Sequence, residues 1–337
     1  MKNKNYLKNI NKTWLITGVA GFIGSNLLEF LLKNNQHVVG IDNFSTGFKE
    51  NLEEIKSNLE RSQWEKFTLI TGDIRNFDDC LNVTNGVDYV LHQAALGSVP
   101  RSIENPILTN DNNLTGFLNI LEASRIHGIK RFVFAASSST YGDSKVLPKQ
   151  ENLIGKPLSP YAVTKLVNEI YADVFSRVYG VEYIGLRYFN VFGKRQSKNG
   201  PYSAVIPRWI DALLSGTKIE IFGDGKTSRD FCYIDNVIEA NILSAITENE
   251  EAKNQIYNIA FGERTSLNNL YDLIFQSLQA IDSNIQFVKP LYSNFRPGDV
   301  RHSHADISKA KELLNYDPEI DLKNGLRETV KYYLRND

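Results

Sequence analysis

Tyr161 and Lys165 stand four residues apart in the run Pro160-Tyr161-Ala162-Val163-Thr164-Lys165, downstream of the hydroxyl run Ser137-Ser138-Ser139-Thr140. On a helix, positions i and i+4 share a face, so phenol and ammonium can converge on one point. A nearby cation favours the phenolate and can draw a tyrosine pKa from about 10 toward neutrality. Such a pair suits removal of a proton from a sugar or alcohol hydroxyl. The spacing by itself is common on solvated helix faces, so its meaning rests on the motifs around it.

A second chemical group is Gly18-Val19-Ala20-Gly21-Phe22-Ile23-Gly24. It follows the apolar, β-prone run Thr13 to Thr17 and opens a segment with Phe22, Ile23, Leu27, Leu28, Leu31 and Leu32 at helical spacing. Glycines there permit a tight turn and close backbone approach, while the helix N-terminus offers free N–H groups to a pyrophosphate. Asp42 ends the next strand-like run about twenty residues further on, where a carboxylate binds both ribose hydroxyls of an adenosine and disfavours a 2′-phosphate. NAD is therefore expected over NADP. Asp73, in Gly72-Asp73-Ile74-Arg75, suits an adenine-edge contact or a helix N-cap.

These groups need a scaffold that places them together. Strand-like runs at His37 to Ile41, Phe67 to Thr71, Tyr89 to Leu91, Arg131 to Ala136 and Tyr183 to Leu186 alternate with helix-like segments, including Asn112 to His127 and Pro160 to Tyr179. That alternation predicts an α/β fold, a Rossmann-type doubly wound parallel sheet with helices on both faces. After about Arg187 the rhythm loosens, which predicts a smaller, interleaved mixed α/β substrate domain. The expected division is a dinucleotide-binding domain over 1–187, with parts of about 228–257 returning to it, and a mainly substrate-binding part over 188–337.

A chain of 337 residues with 42% hydrophobic and 23% charged residues has the composition of a soluble globular protein. A formal net charge of −1 gives no reason to expect nucleic acid or an anionic membrane as a partner. Met1 to Lys12 is polar, and no apolar run is long enough for a bilayer, so a cytoplasmic location is expected. Cys80 and Cys232 are far apart and read as buried thiols.

With these motifs in order, the chain resembles the extended short-chain dehydrogenase/reductases, and within them the nucleotide-sugar 4-epimerases. The resemblance rests on Gly18 to Gly24, Asp42-Asn43, Asp73, His92-Gln93-Ala94-Ala95, Asn112, Ser137 to Gly142, Tyr161/Lys165 and Arg187 to Val191. Ser228 to Phe231 and Arg296-Pro297-Gly298-Asp299 also match. The resemblance implies that Tyr161 is the base, that Lys165 binds nicotinamide ribose and holds Tyr161 ionised, and that Ser137 bonds the reacting hydroxyl. It adds Asn43, Ser45, Gly47, Ile74, Gln93, Ala94, Ala95, Asn112 and Val191 to the cofactor set with Gly18, Gly21, Phe22, Ile23, Gly24, Asp42 and Asp73. For a UDP-sugar substrate it implies Ser98, Ser138, Asn190, Ala204, Val205, Glu220, Phe222, Arg229, Arg296, Asp299 and Ser303. Ser139 reads as a polar loop residue. The implied reaction oxidises C4 to a 4-keto sugar, which turns over in the pocket and is reduced on its other face.

Related dehydratases and decarboxylases carry a carboxylate ahead of the Tyr-Gly pair, whereas this chain has Ser138-Ser139-Thr140, so epimerisation is expected. Ser303 stands where some epimerases of the family carry a bulky tyrosine. With Gly97, Ser98, Ser138, Asn190 and Ala204, it implies UDP-N-acetylglucosamine/UDP-N-acetylgalactosamine as the substrate pair. Two alternatives stay open: a UDP-glucuronic acid 4-epimerase, for which Arg101 offers a cation, and a non-catalytic NAD sensor of the same fold. His302-Ser303-His304 lacks companion ligands and reads as a polar loop, so no metal is expected. His92 reads as packed near the cofactor. Leu114, Phe117, Leu118, Leu121, Leu166, Ile170, Val174 and Phe175 read mostly as core, with part of those helices available for a homodimer interface.

Overall fold

The computed structural model describes residues 6–8, 10–198, 203–295 and 300–336. Six strands, β1 (Thr13–Thr17), β2 (His37–Asp42), β3 (Phe67–Thr71), β4 (Tyr89–His92), β5 (Arg131–Ser137) and β6 (Tyr183–Tyr188), alternate with helices. A seventh, Gln255–Ile259, comes from the second half of the chain and pairs with β6. The sheet runs from Gln255–Ile259 through β6, β5, β4, β1 and β2 to β3, with every pair parallel. Trp14 to Thr17, all of β4 and all of β6 are buried, as strands covered on both faces must be. β3, at the edge, leaves Leu69 exposed.

Two apolar layers hold the sheet. On one face Leu27, Leu28 and Leu31 of the helix Phe22–Lys33 pack with Val237 and Ile238 of the helix Ile234–Ile246. On the other, Phe117, Ile120 and Leu121 of Gly116–Ile126 and Ala172 and Phe175 of Pro160–Tyr179 pack with Phe132 and Phe134 of β5. The first layer continues into the second half of the chain through Trp209, Tyr271 and Leu326, so both halves share one core.

Two features place the site. Parallel register aligns the carboxyl ends of the strands: Thr17 lies opposite Ile41 and His92, and Ser137 opposite Tyr188. The strand order reverses between β1 and β4, and ligands of open α/β sheets bind in the crevice beyond that point. The helix expected from Asn112 to His127 differs at its start. Asp111–Thr115 is a π-helical turn, and the α-helix runs over Gly116–Ile126. The extra residue in that turn lets Asn112 and Asn113 be buried side by side with different partners. Among the described residues, no helix is long and apolar enough to cross a membrane.

Candidate active site

At Gly18 and Gly24 the turn after β1 has no room for a side chain. A Cβ on Gly24 would stand 2.1 Å from the Gly18 carbonyl oxygen, and one on Gly18 (φ +68°) would stand 2.9 Å from the Ala94 Cα. No side chain caps the helix that starts at Phe22, so its first N–H groups remain for an anion. Asp42 fixes the turn: one carboxylate oxygen accepts from the Ala20 N–H (2.9 Å), the other from the Phe44 N–H (2.8 Å). Burial raises the Asp42 pKa, and these two amides oppose the rise.

Around this turn lies a cleft of about 340 Å³ lined by Gly18, Gly21, Phe22, Ile23, Gly24, Asp42, Asn43, Ser45, Gly47, Ile74, Gln93, Ala94, Ala95 and Asn112. Those are all expected cofactor positions, and the glycine cradle beside a buried carboxylate fits a dinucleotide. Asp73 stands outside the wall, where Arg75 and Asn43 engage its carboxylate and hold its pKa down to about 2. The N-cap of the following helix is Asn76 rather than Asp73. Gln93 reaches Asn241 (3.0 Å) and accepts from the Tyr188 hydroxyl (3.2 Å), which fixes the loop after β4.

Ser137, Tyr161 and Lys165, the trio expected to carry the chemistry, come from two elements. Ser159 caps the helix Pro160–Tyr179 by accepting from the Ala162 N–H, with Pro160 in its first turn and Gly180 (φ +73°) ending it. This start brings Tyr161 to the end of β5, where Ser137 closes the strand. Gly142 (φ +51°) lets the chain fold back tightly: a Cβ there would lie 1.9 Å from the Lys156 carbonyl oxygen. Burial raises the Tyr161 phenol, and hydrogen bonding with Ser137 pulls it back. Lys165 is buried and donates to the Ala135 carbonyl (2.7 Å). Burial lowers its pKa to about 8, with Glu169, one turn on, opposing. The phenol therefore sits above its ordinary value rather than below it, and the depression expected from Lys165 is not set by the protein geometry alone.

Two further cavities meet at this wall. One, of about 610 Å³, is lined by Ser137, Ser138, Ser139, Tyr161, Asn190, Arg229 and Ser303 among others. The second, of about 540 Å³, shares Asn190 and Arg229 and adds Val191, Ala204, Val205, Glu220 and Phe222. Val191 thus faces the second cavity rather than the cofactor cleft. Ser98 caps the helix Val99–Glu104, accepting from the Arg101 N–H (3.2 Å); its neighbour Val99 lines the first cavity, and Ser98 itself does not. Asn190, at φ +28°, donates to the Asp230 carbonyl (3.1 Å). Arg296 and Asp299 lie outside the described residues.

Several residues line or brace these cavities that sequence reasoning passed over. Gln196, Arg208 and Arg301 also line the second cavity. Asn113 binds both backbone groups of Leu96 and donates to Thr164, tying the cofactor-cleft loop to the Tyr161 helix. Thr17 accepts from the Ala94 N–H (3.1 Å) and contacts His92 Nδ1 (2.8 Å), and burial lowers His92 to about 3. His92 is thus a neutral packing group. His302 and His304 contact Ser228 and the Gly262 carbonyl. Ser139 donates to Ser137.

The model of the NAD dependent epimerase/dehydratase family matches residues 14–260. A putative UDP-glucose 4-epimerase of Methanocaldococcus jannaschii is 39% identical over 325 residues, covering 96% of this chain and 98% of the relative. A UDP-glucuronate 4-epimerase of Thermodesulfobacterium geofontis is 36% identical over 327 residues, 96% of each. The structure of a UDP-N-acetylglucosamine 4-epimerase from Methanobrevibacter ruminantium M1, in complex with UDP-N-acetylmuramic acid, superposes with a TM-score of 0.87. It is 38% identical and covers 97% of this chain and 99% of that one.

Proposed function

The chain belongs to the NAD dependent epimerase/dehydratase family, and within it we propose that it interconverts the C4 epimers of a UDP-hexose, namely UDP-N-acetylglucosamine and UDP-N-acetylgalactosamine. The observation that carries the reading is the shared wall of the 610 Å³ cavity, where Tyr161, Ser137 and the small Ser303 line one chamber. Tyr161 takes the proton of the C4 hydroxyl, Ser137 donates to the C4 oxygen, and Lys165 supplies the charge that steadies the phenolate. NAD in the glycine-lined cleft supplies the hydride acceptor that later returns the hydride. Asn190 and Arg229, common to both cavities, stand where the sugar meets its diphosphate, and Arg229 offers planar donors to a phosphate. Ser138, Ser139 and Thr140 leave the turn after β5 without a carboxylate, and Glu104, the chamber's acid, is exposed on another helix. That supports epimerisation over elimination of water.

A small residue at 303 leaves space for an acetamido group as the keto sugar rotates. The test is turnover of four UDP-sugars, acetylated and not, by wild type and Ser303→Tyr, with the C4 epimers resolved. Wild type should convert the acetamido pair, and the variant should lose that activity at least tenfold more than activity on UDP-glucose, a differential of about 1.4 kcal/mol. Equal losses on both classes refute the acetamido assignment, while conversion of UDP-glucuronate alone favours the uronic acid reading. We also infer a homodimer. Ile170, Val174 and Val178, four apart on the Tyr161 helix, are exposed rather than core.

A further inference from the structure

Ser139 sits two residues beyond Ser137, in the 3₁₀ turn Ser138–Tyr141, and lines the sugar chamber. Its hydroxyl donates to Ser137 Oγ at 2.9 Å, and its backbone N–H donates to the same oxygen at 3.1 Å. A serine hydroxyl has two acceptor lone pairs and one proton. Both acceptor positions of Ser137 are therefore filled from within the turn. The turn is itself pinned, because Thr140 Oγ1 donates to the Ser137 carbonyl at 2.8 Å. The remaining capacity of Ser137 is its proton; Tyr161 lines the same chamber, and Ser137 holds its phenol down against the rise that burial causes.

We propose that Ser139 is a positioning residue: it saturates the acceptor sites of Ser137 and so fixes Ser137 as a donor toward Tyr161 and the C4 oxygen. This rests on the epimerase reading of the same site. During proton removal the Tyr161 phenolate takes the C4 hydroxyl proton and becomes neutral, and negative charge passes from the phenolate oxygen to the C4 oxygen. A donor already oriented toward both oxygens stabilises that charge without reorganising. Without the Ser139 hydroxyl, one lone pair of Ser137 is free, and the substrate hydroxyl can fill it by donating to Ser137. Ser137 then competes with Tyr161 for the proton that Tyr161 must take.

The experiment compares wild type, Ser139→Ala and Ser139→Thr in kcat and KM across pH. Ser139→Ala should lower kcat about tenfold at neutral pH, the scale of one weakened charge-assisted hydrogen bond. KM should stay within about twofold. The contact with Ser137 lowers the phenol pKa, so weakening it should move the acid limb of the profile to higher pH. Ser139→Thr, which keeps a hydroxyl, should restore both. A uniform loss at every pH, or a rise in KM alone, overturns the proposal in favour of a structural or sugar-contact role. Wild type inactive on every UDP-sugar refutes the epimerase reading instead. Ultraviolet titration of phenolate, taken as the difference from Tyr161→Phe, then tests Ser139 without turnover: an unmoved Tyr161 titration in Ser139→Ala overturns it.

Discussion

Glu169→Gln should damage stability and chemistry by separable routes. Arg187 grips Glu169 with two parallel bonds, Nε to Oε1 at 2.9 Å and Nη2 to Oε2 at 2.7 Å, and its Nη1 donates to the Glu151 carbonyl. The side chains are 4% and 7% exposed. An amide at 169 turns a donor toward the guanidinium and leaves the buried cation uncompensated, a loss of about 3–5 kcal/mol. Glu169 also opposes the burial that brings Lys165 down to about 8. Without its charge the ammonium loses its proton at still lower pH. The catalytic role assigned to Lys165 needs the ammonium, so the alkaline limb of kcat/KM should move to lower pH. Urea unfolding and a pH–rate profile read the two effects. Adding Arg187→Met should recover part of the stability, since it removes the uncompensated cation while the amide at 169 stays buried. It should leave the alkaline limb displaced. The reasoning fails if the double variant is no more stable than the single, or if its alkaline limb returns to the wild-type position.

Gly24→Ala should cost at least about 1–3 kcal/mol, because the clash is with backbone that cannot rotate away. The purified variant should carry less NAD, and unchanged cofactor content and melting temperature would contradict the cradle. Val174→Glu should give a monomer by light scattering while the wild type runs as a dimer; a monomeric wild type refutes that inference.

Much of the scaffold was legible because its physics is local. Strands buried on both faces must be continuous apolar runs, as Trp14 to Thr17 and Tyr183 to Leu186 are. The Tyr161 helix announces itself through Ser159-Pro160 at its start and Gly180 at its end. The glycine turn is legible for the same reason, since no other residue fits at Gly18 or Gly24. What stayed hidden depends on direction or on distance along the chain. The π-helical turn at Asp111–Thr115 is a slip of hydrogen-bond register that no residue type encodes. The pairing of Arg187 with Glu169 joins a strand to a helix across the sheet's second face. Ser139 looked like filler because its meaning lies in which way one hydroxyl points. Ile170 and Val174 followed the apolar spacing expected of core and proved exposed, since periodicity marks a face without saying what covers it.

The seventh strand has a consequence for how the protein is made. β6 ends at Tyr188, and its partner strand begins at Gln255. On a ribosome adding about 5–20 residues per second, several seconds separate the two. Through that interval the nascent sheet carries a bare, largely apolar edge at β6, the kind of surface that templates aggregation. A truncation that stops before Ile259 makes this state permanent. Such fragments should need chaperone cover to remain in solution, even though they contain the glycine turn, Ser137, Tyr161 and Lys165.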